Sequence, residues 1–266
     1  NSNATEVLNS ATTNTQDIMN YVKQNIQSNG GTLKPIAMTE WNIFATGSMQ
    51  QVSHINGIHA GIVLGELIKN KYGQATRWDL ANGWDGGNDH GMFNQGDEPG
   101  GIPKWNPRAP FYHMYYFQKY CGDKMVQSAM TGNSDVLGYV TSFTSGQLGV
   151  ALFNKGTSNQ TVQVNFQNFT PGDRYYWYTL TGGNDNGQFS RQVHVNGVAP
   201  TYASGGPLTY ASINPNSAVI GNGAKIMLPP RSSAFMLIER GQGTPGSVDG
   251  SLDDLIRIRR NPAGTD

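Results

Sequence analysis

The hydrophobic pattern of the first 125 residues alternates between helical and strand-like segments. The stretch TQDIMNYVKQNIQSNGG, residues 15–31, repeats its apolar positions at helical spacing and stops at a glycine pair, which predicts a helix. The predicted apolar face of this helix carries Ile18, Tyr21, Val22, Asn25 and Ile26. The short apolar run KPIAMTEWN, residues 34–42, then predicts a buried strand.

The same alternation continues through a second helix and a second strand. Residues 48–73 predict a long helix, in which Gly57, Gly61 and Gly65 recur every four residues and indicate close packing on a neighbour. Its predicted inward positions are Val52, Ile55, Ile58, Ile62 and Leu67. ATRWDLAN predicts a strand, and FYHMYYFQKYCGD, after a long polar loop, predicts an aromatic third helix. This order of elements is typical of a parallel α/β structure.

Beyond residue 135 the pattern changes to short segments of period two. Segments such as VLGYVTSFTS, QLGVALFNK and RYYWYTLTGG are separated by Gly, Asn, Asp and Pro turns, which predicts an antiparallel β-sandwich. The predicted fold class is therefore α/β followed by all-β. We expect an α/β domain over residues 1–130, a sandwich over 131–241 and a linker and tail over 242–266. Two strands cannot close a barrel, so the α/β part is expected to be the end of a larger domain.

Composition narrows the range of partners and locations. The chain has 18 basic and 18 acidic residues, and only 14% of its residues are charged, so neither nucleic acid nor a membrane surface is expected. The single cysteine, Cys121, excludes an internal disulfide framework and a cysteine-based metal cluster. Low charge with abundant Gly, Asn, Ser, Thr and Tyr is common in secreted carbohydrate-active proteins. A secreted, cell-surface or periplasmic location is therefore expected.

Glu40, at the end of the first predicted strand, differs from the other four glutamates of the chain. Those lie near the start, on a helix, in a Pro/Gly loop and at the end of the last strand: Glu6, Glu66, Glu98 and Glu239. Burying an unpaired carboxylate is costly, so such a group needs donors or a chemical role. Glu40 is accordingly either a structural partner of a cation such as Arg77 or a catalytic carboxylate, and the position alone leaves both interpretations open.

Aromatic and amide residues follow both predicted strands, as sugar-binding sites require. Indole faces stack on pyranose rings, and sugar hydroxyls need paired donors and acceptors. The candidate substrate-binding residues are Trp41, Asn42, Trp78, Asp79, Asn82, Trp84 and His90. Ordinary packing remains the alternative for Trp78 and Trp84, and loop anchoring for His90. His54, His59 and His113 lie on predicted helices in no metal-ligand pattern, so neither a metal nor a cofactor is expected.

At these residues the sequence resembles a known group of enzymes. PIAMTEWN resembles the seventh strand of retaining glycoside hydrolases of the (β/α)8 clan A, in particular the β-xylosidase and α-L-iduronidase type and related agarase and arabinofuranosidase families. ATRWDLANGW looks like the eighth strand, with Trp78 matching the tryptophan of the innermost sugar subsite, and HGMF resembles the loop that follows it. The last predicted helix fits the same group, and the clan often appends a β-sandwich.

The resemblance implies hydrolysis by double displacement, with Glu40 as the nucleophile. A second carboxylic acid, about 5 Å away, would protonate the leaving oxygen and then activate water. In the family this acid follows the fourth strand as an Asn-Glu dipeptide, which this chain lacks. The implied chain is thus the C-terminal part of a (β/α)8 barrel with an appended sandwich. An N-terminal companion chain or fragment is expected to supply the acid.

Other functions fit the sequence as well. The chain is alternatively a non-catalytic carbohydrate-binding or surface protein whose sandwich binds glycan. A third option pairs Glu40 with Asp79, Asp85 or Asp89 within this chain, and a wider carboxylate spacing would then favour inversion. The low charge suits a neutral oligosaccharide or polysaccharide, and a xyloside, an arabinoside or an algal galactan all fit.

Overall fold

The computed structural model describes residues 3–44 and 49–241, together with the backbone of residues 256–260. Its contacts divide the chain into two units. The first contains the residues up to Met114 with Gly182–Val193 and Pro200–Pro207, and the second contains Tyr115–Thr181, His194–Ala199 and the residues from Leu208 onward. The predicted tail at 242–266 lies outside the described residues, except for one strand.

The first unit, with the helix that leads out of it, follows the predicted order of elements. β1 pairs with β2 and β3 pairs with β4, both in parallel. None of the described helices is long and apolar enough to cross a membrane. The elements are α1 (Ala4–Ser28), β1 (Ala37–Trp41), α2 (His54–Lys69), β2 (Gln74–Arg77), β3 (Ala81–Asn82), β4 (Phe93–Asn94) and α3 (Ala109–Tyr120), with 3-10 turns at Met49–Val52 and Asp85–Gly87.

Helix α1 starts earlier than the sequence predicted, and its buried face matches the predicted one only in part, because Val22 and Ile26 are half-buried. Asn3 caps its first turn, where the side-chain oxygen accepts a hydrogen bond from the Thr5 N–H at 2.9 Å. Ile18 and Tyr21 of the predicted face are 47% and 69% exposed. The buried face is built mainly from small residues upstream, which carry little hydrophobic signal: Ala4, Val7, Leu8, Ala11, Thr15 and Met19.

Helix α2 is the most deeply buried helix of this unit among the described residues. It begins at His54 rather than at residue 48, because Ser53 takes an extended backbone and its side-chain oxygen accepts the Ile55 N–H. All five predicted inward positions are buried. The close packing predicted for its glycines is confirmed at Gly57, where a Cβ would lie 2.3 Å from Nδ1 of His113 on α3. A side chain at this position would force the His113 ring to shift.

The segment Gly182–Val193 groups with the first unit although it lies within the predicted range 131–241. Its backbone carbonyls satisfy N–H groups at the start of α2, which have no partner inside the helix. Ser190 O accepts from His54 N at 3.0 Å, and Gly187 O accepts from Ile55 N at 3.3 Å. These bonds explain why a segment so distant in sequence belongs to this unit.

The second unit consists of antiparallel sheets with a shared apolar core. A seven-stranded sheet has the order β11-β10-β14-β8-β7-β5 with β12 added to β10, and a four-stranded sheet has the order β13-β9-β15-β6. The core joins both sheets through side chains such as Val140, Leu152, Val164 and Ile226. The strands are β5 (Lys124–Met125), β6 (Ser128–Thr131), β7 (Val136–Ser142), β8 (Leu148–Asn154), β9 (Gln160–Asn165), β10 (Pro171–Gly182), β11 (Val193–Val195), β12 (Asn216–Val219), β13 (Ala224–Leu228), β14 (Ser232–Arg240) and β15 (Ile256–Arg260).

Buried histidines in the first unit predict that stability falls in acid. Burial, aided by the charge of Arg77, lowers the pKa of His59 to about 3, and burial beside His54 lowers the pKa of His113 well below its usual value. Both rings stay neutral in the folded chain but are protonated in the unfolded chain below about pH 6.5. Their contribution is therefore complete above that pH and is lost progressively as the pH falls toward 3.

Urea unfolding at a series of pH values should show this loss. Each histidine contributes a slope of up to about 1.4 kcal/mol per pH unit. His59→Gln should flatten the dependence of the unfolding free energy on pH between 6.5 and 4, whatever its effect on stability at neutral pH. An unchanged slope in this variant would contradict the assignment.

Candidate active site

Parallel pairing of β1 and β2 brings the two candidate segments together. The register pairs Trp41 with Arg77, and the Trp78 N–H donates to the Trp41 carbonyl at 3.0 Å. The carboxyl ends of parallel strands lie at the same edge of a sheet, which is where the catalytic groups of α/β enzymes project. Asn42 and Trp78, the residues that follow the two strands, are therefore neighbours.

Glu40 is exposed at this edge of the sheet. Its carboxylate has no hydrogen-bond or ion-pair partner within the part of the chain that the structure describes. The side chain lines a cavity of about 630 Å³ between α1, α2 and β1, together with Ile18 and Phe44. A free carboxylate beside a cavity is available for chemistry or for binding a ligand.

Arg77 is not the ion-pair partner of Glu40. Its Nη1 donates to the backbone carbonyls of Asp79 and His90 at 3.3 and 3.0 Å. Burial lowers the pKa of Arg77 to about 10, although the Asp79 carboxylate opposes this shift. Arg77 therefore organises the backbone of the loop that follows β2, and the purely structural interpretation of Glu40 loses its proposed partner.

Asn42 fastens the same loop from the β1 side. Its amide nitrogen donates to the carbonyls of Trp78 at 2.5 Å and His90 at 3.2 Å. Its amide oxygen accepts from the Ile43 N–H and from the side chain of Asn56 on α2. Every hydrogen bond that this side chain makes in the structure is with another protein group. Asn42 therefore acts as a positioning residue.

The predicted tryptophans differ in exposure. Trp78 is 47% exposed and its peptide bond to Asp79 is cis, whereas Trp41 is only 9% exposed and its Nε1 lacks a hydrogen-bond partner among the described residues. Trp84 is half-buried. Trp78 is thus a half-exposed indole directly after β2, while contact between Trp41 and substrate stays a prediction.

Asp79 and His90 join this cluster through backbone bonds. The Asp79 N–H donates to the His90 carbonyl at 3.2 Å, and the Asp79 carbonyl accepts from the Met92 N–H. Burial lowers the pKa of His90, although Asp79 opposes the shift. Asn82 lies further along, on β3, where its side chain accepts the Gly83 N–H. The site residues nearest the two strand ends are therefore Glu40, Asn42, Trp78, Asp79 and His90.

Two of the aspartates considered as partners of Glu40 are engaged elsewhere. Asp89 is buried and its Oδ1 lies 2.6 Å from Nη1 of Arg108. Burial raises its pKa, with the charge of Arg108 opposing the rise. The Asp85 carboxylate accepts from the amide of Asn88 at 3.3 Å. These contacts give Asp85 and Asp89 roles in shaping the loop.

Sequence reasoning missed a buried ionic network behind this loop. Arg108 is fully buried and contacts Asp89 and, at 3.0 Å, Glu98, whose second oxygen binds Arg191. The guanidinium carbons of Arg191 and Arg108 lie 5.1 and 6.0 Å from the ring centre of Trp84. The only signal in the sequence was the presence of charged residues in a Pro/Gly-rich loop, which is too common to identify such a network.

Comparison with known proteins gives matches by structure only. No protein-family model matches the chain, and no curated protein matches it by sequence. The chain is similar to an arabinofuranosidase with a TM-score of 0.63 and 15% identity, over 90% of this chain and 50% of that one. An α-L-arabinofuranosidase from Thermotoga maritima gives a TM-score of 0.60 at 14% identity, again over 90% and 50%.

A further similar structure is CelM2, a bifunctional glucanase-xylanase from a metagenome library, with a TM-score of 0.54 and 17% identity over 85% of this chain and 34% of that one. The chain therefore spans between 34% and 50% of the length of these three structures. At these identities the likeness is one of fold. The chain has a fold found in part of several glycoside hydrolases.

Removing the side-chain amide of Asn42 should lower the free energy of unfolding. Asn42→Ala leaves the carbonyls of Trp78 and His90 without this donor, so we expect a loss of about 1–3 kcal/mol in unfolding free energy. Urea titration followed by tryptophan fluorescence measures it. The control is Asn25→Ala, which removes an exposed bond to the Tyr21 carbonyl and should change stability by less than about 0.5 kcal/mol. Equal effects of the two substitutions would contradict a central role for Asn42.

Proposed function

We propose that this chain is the C-terminal part of a retaining glycoside hydrolase, with Glu40 as its nucleophile. The observation that carries the proposal is the unpaired, exposed carboxylate of Glu40 at the carboxyl end of a strand whose parallel neighbour leads directly into the half-exposed Trp78. The fold shared with parts of several glycoside hydrolases supports the same reading. In this proposal the first unit is the end of a (β/α)8 barrel and the second is a β-sandwich.

The proposed reaction has two displacements at the anomeric carbon. Glu40 attacks this carbon and forms a glycosyl ester while an acid protonates the departing oxygen, and water then cleaves the ester with the same group acting as base. Trp78 stacks on the sugar ring, and Asp79 and His90 offer groups to its hydroxyls. Asn42 and Arg77 hold the backbone that carries these three residues.

We further propose that the acid and the remaining barrel strands come from polypeptide outside this chain. Within the described residues β1 pairs only with β2, so its other edge has free backbone groups. Exposed apolar side chains also line the cavity next to β1, including Ile18 at 47% and Phe44 at 78%. An adjoining strand and helix would cover both the edge and these side chains.

A neutral glycan is the proposed substrate class. The site residues around the two strand ends offer an indole, amides and a half-buried histidine, and Arg77 is directed at backbone carbonyls. Neutral xylosides, arabinosides and galactans all fall within this class. Polymers of these sugars lie outside cells, so the proposal includes a secreted, cell-surface or periplasmic location.

Substitution of the proposed nucleophile tests the reaction. In the assembled enzyme Glu40→Gln should lower kcat by about 1,000-fold or more, because the amide cannot form the glycosyl ester. Intact mass after reaction with a 2-fluoro-glycosyl inactivator should show one sugar attached, and attachment should be lost in the variant. Glu6→Gln, an exposed glutamate on α1, is the control. Unchanged activity in Glu40→Gln would favour a non-catalytic glycan-binding protein.

The need for additional polypeptide is tested by native purification. Denaturing electrophoresis and intact mass should reveal either a longer chain or a second one. Ile18→Asp should weaken that association about tenfold or more while leaving helix content unchanged, because the side chain is exposed in this unit. Val219→Asp, at a 66% exposed position in the second unit, serves as control. A stable, active monomer of this chain alone would contradict the proposal.

A further inference from the structure

We propose that Arg191 is a positioning residue that fixes the indole of Trp84 as the platform of an outer sugar subsite, separate from the ring of Trp78. This inference rests on the proposed function and deepens it. Trp84 lies in the loop after β2 and is half-buried, with its backbone N–H bound to the Asp97 carboxylate at 2.8 Å. Its ring has two guanidinium neighbours, Arg191 at 5.1 Å and Arg108 at 6.0 Å.

The segment around Trp84 reaches the loop that follows β1. The 3-10 turn Asp85–Gly87, directly after Trp84, contacts the turn Met49–Val52, which belongs to the loop after β1. The first of these turns follows β3, and the second follows β1. The loop is also tied to the site through Asp79, whose backbone bonds to His90 and Met92. An aromatic face here extends the site beyond the sugar that contacts Trp78.

Arg191 is held firmly enough to position a ring. The Asp185 carboxylate accepts the backbone N–H groups of Gly187, Phe189 and Ser190, which fixes the turn before Arg191. The Arg191 carbonyl accepts from the Gly205 N–H at 2.9 Å. Only 17% of its side chain is exposed. Arg191 is therefore held at both ends, through its backbone and through its guanidinium.

The Glu98 carboxylate orients the side chains of both Arg108 and Arg191. It is 4% exposed, and its two oxygens bind Arg108 and Arg191 separately. A planar guanidinium held this way can lie over an aromatic ring, an arrangement that lysine cannot reproduce because its charge is a point rather than a plane. The ion pair between Glu98 and Arg191 explains why an arginine of the segment Gly182–Val193 lies near the Trp84 ring.

The charge balance of this network favours a neutral sugar over an anionic one. Asp89 and Glu98 supply two negative charges, and Arg108 and Arg191 supply two positive charges, all in direct contact. Neither guanidinium has an unbalanced charge to offer a carboxylate or sulfate. The ring face of Trp84 is then the binding feature, and it suits the apolar face of a neutral pyranose or furanose.

Binding of oligosaccharides of different length tests the inference. The probes are xylo-, arabino- and agaro-oligosaccharides of two and of five or six sugars, measured by calorimetry with the assembled enzyme carrying Glu40→Gln to prevent turnover. Trp84→Ala and Arg191→Ala should each weaken binding of the long oligosaccharide about tenfold and leave the disaccharide within about twofold. The loss of affinity for the long oligosaccharide in Arg191→Lys should be smaller than in Arg191→Ala, since lysine retains the charge facing Glu98 but not the planar stack. Trp105→Ala, at a 55% exposed tryptophan, is the control.

The outcomes separate this inference from the proposed function. A purely structural role for Arg191 would lower stability and weaken long and short ligands equally, which would overturn the positioning role. The positioning role would also be overturned if the preference for long oligosaccharides were lost in Trp84→Ala but kept in Arg191→Ala. If neither variant alters the preference for long ligands, no outer subsite exists, although the glycosidase proposal stands. Failure of the Glu40→Gln enzyme to bind any of these sugars would overturn both.

Discussion

Because β1 and β2 run parallel, the chain must return from the carboxyl end of one to the amino end of the other, and α2 makes that crossing. Everything in the candidate site depends on this constraint. It places Asn42 beside Trp78, so one amide can hold the carbonyls of Trp78 and His90. It also lets Arg77 donate hydrogen bonds to the Asp79 and His90 carbonyls of the same loop. Two side chains thereby fix the backbone that presents the candidate site residues.

The sequence predicted those features that depend on local pattern. The order of helices and strands follows from apolar spacing, and the position of Glu40 at a strand end was visible because so few glutamates interrupt apolar runs. The face of α1 was predicted only in part, because burial there also uses Ala4, Ala11 and Thr15, whose small side chains hardly register as hydrophobic. The more conspicuous Ile18 and Tyr21 are 47% and 69% exposed.

Features built from distant segments were beyond prediction. Arg191 binds Glu98 across 93 residues of sequence, and no local pattern marks either residue as a partner of the other. The same holds for Ser190 and Gly187, whose carbonyls complete the first turn of α2. The exposure of Trp78 and the burial of Trp41 likewise depend on tertiary packing, which the residue type does not reveal.

The insertion of Gly182–Val193 into the first unit has a consequence for how this protein can vary. A boundary drawn at residue 130 cuts between Glu98 and Arg191, and leaves the N–H groups of His54 and Ile55 without the carbonyls that receive them. The α/β part and the sheets that follow cannot be exchanged as independent modules. Recombination between relatives would have to carry residues 182–193 along with the loop around Trp84, so these two stretches are expected to evolve as one inherited unit.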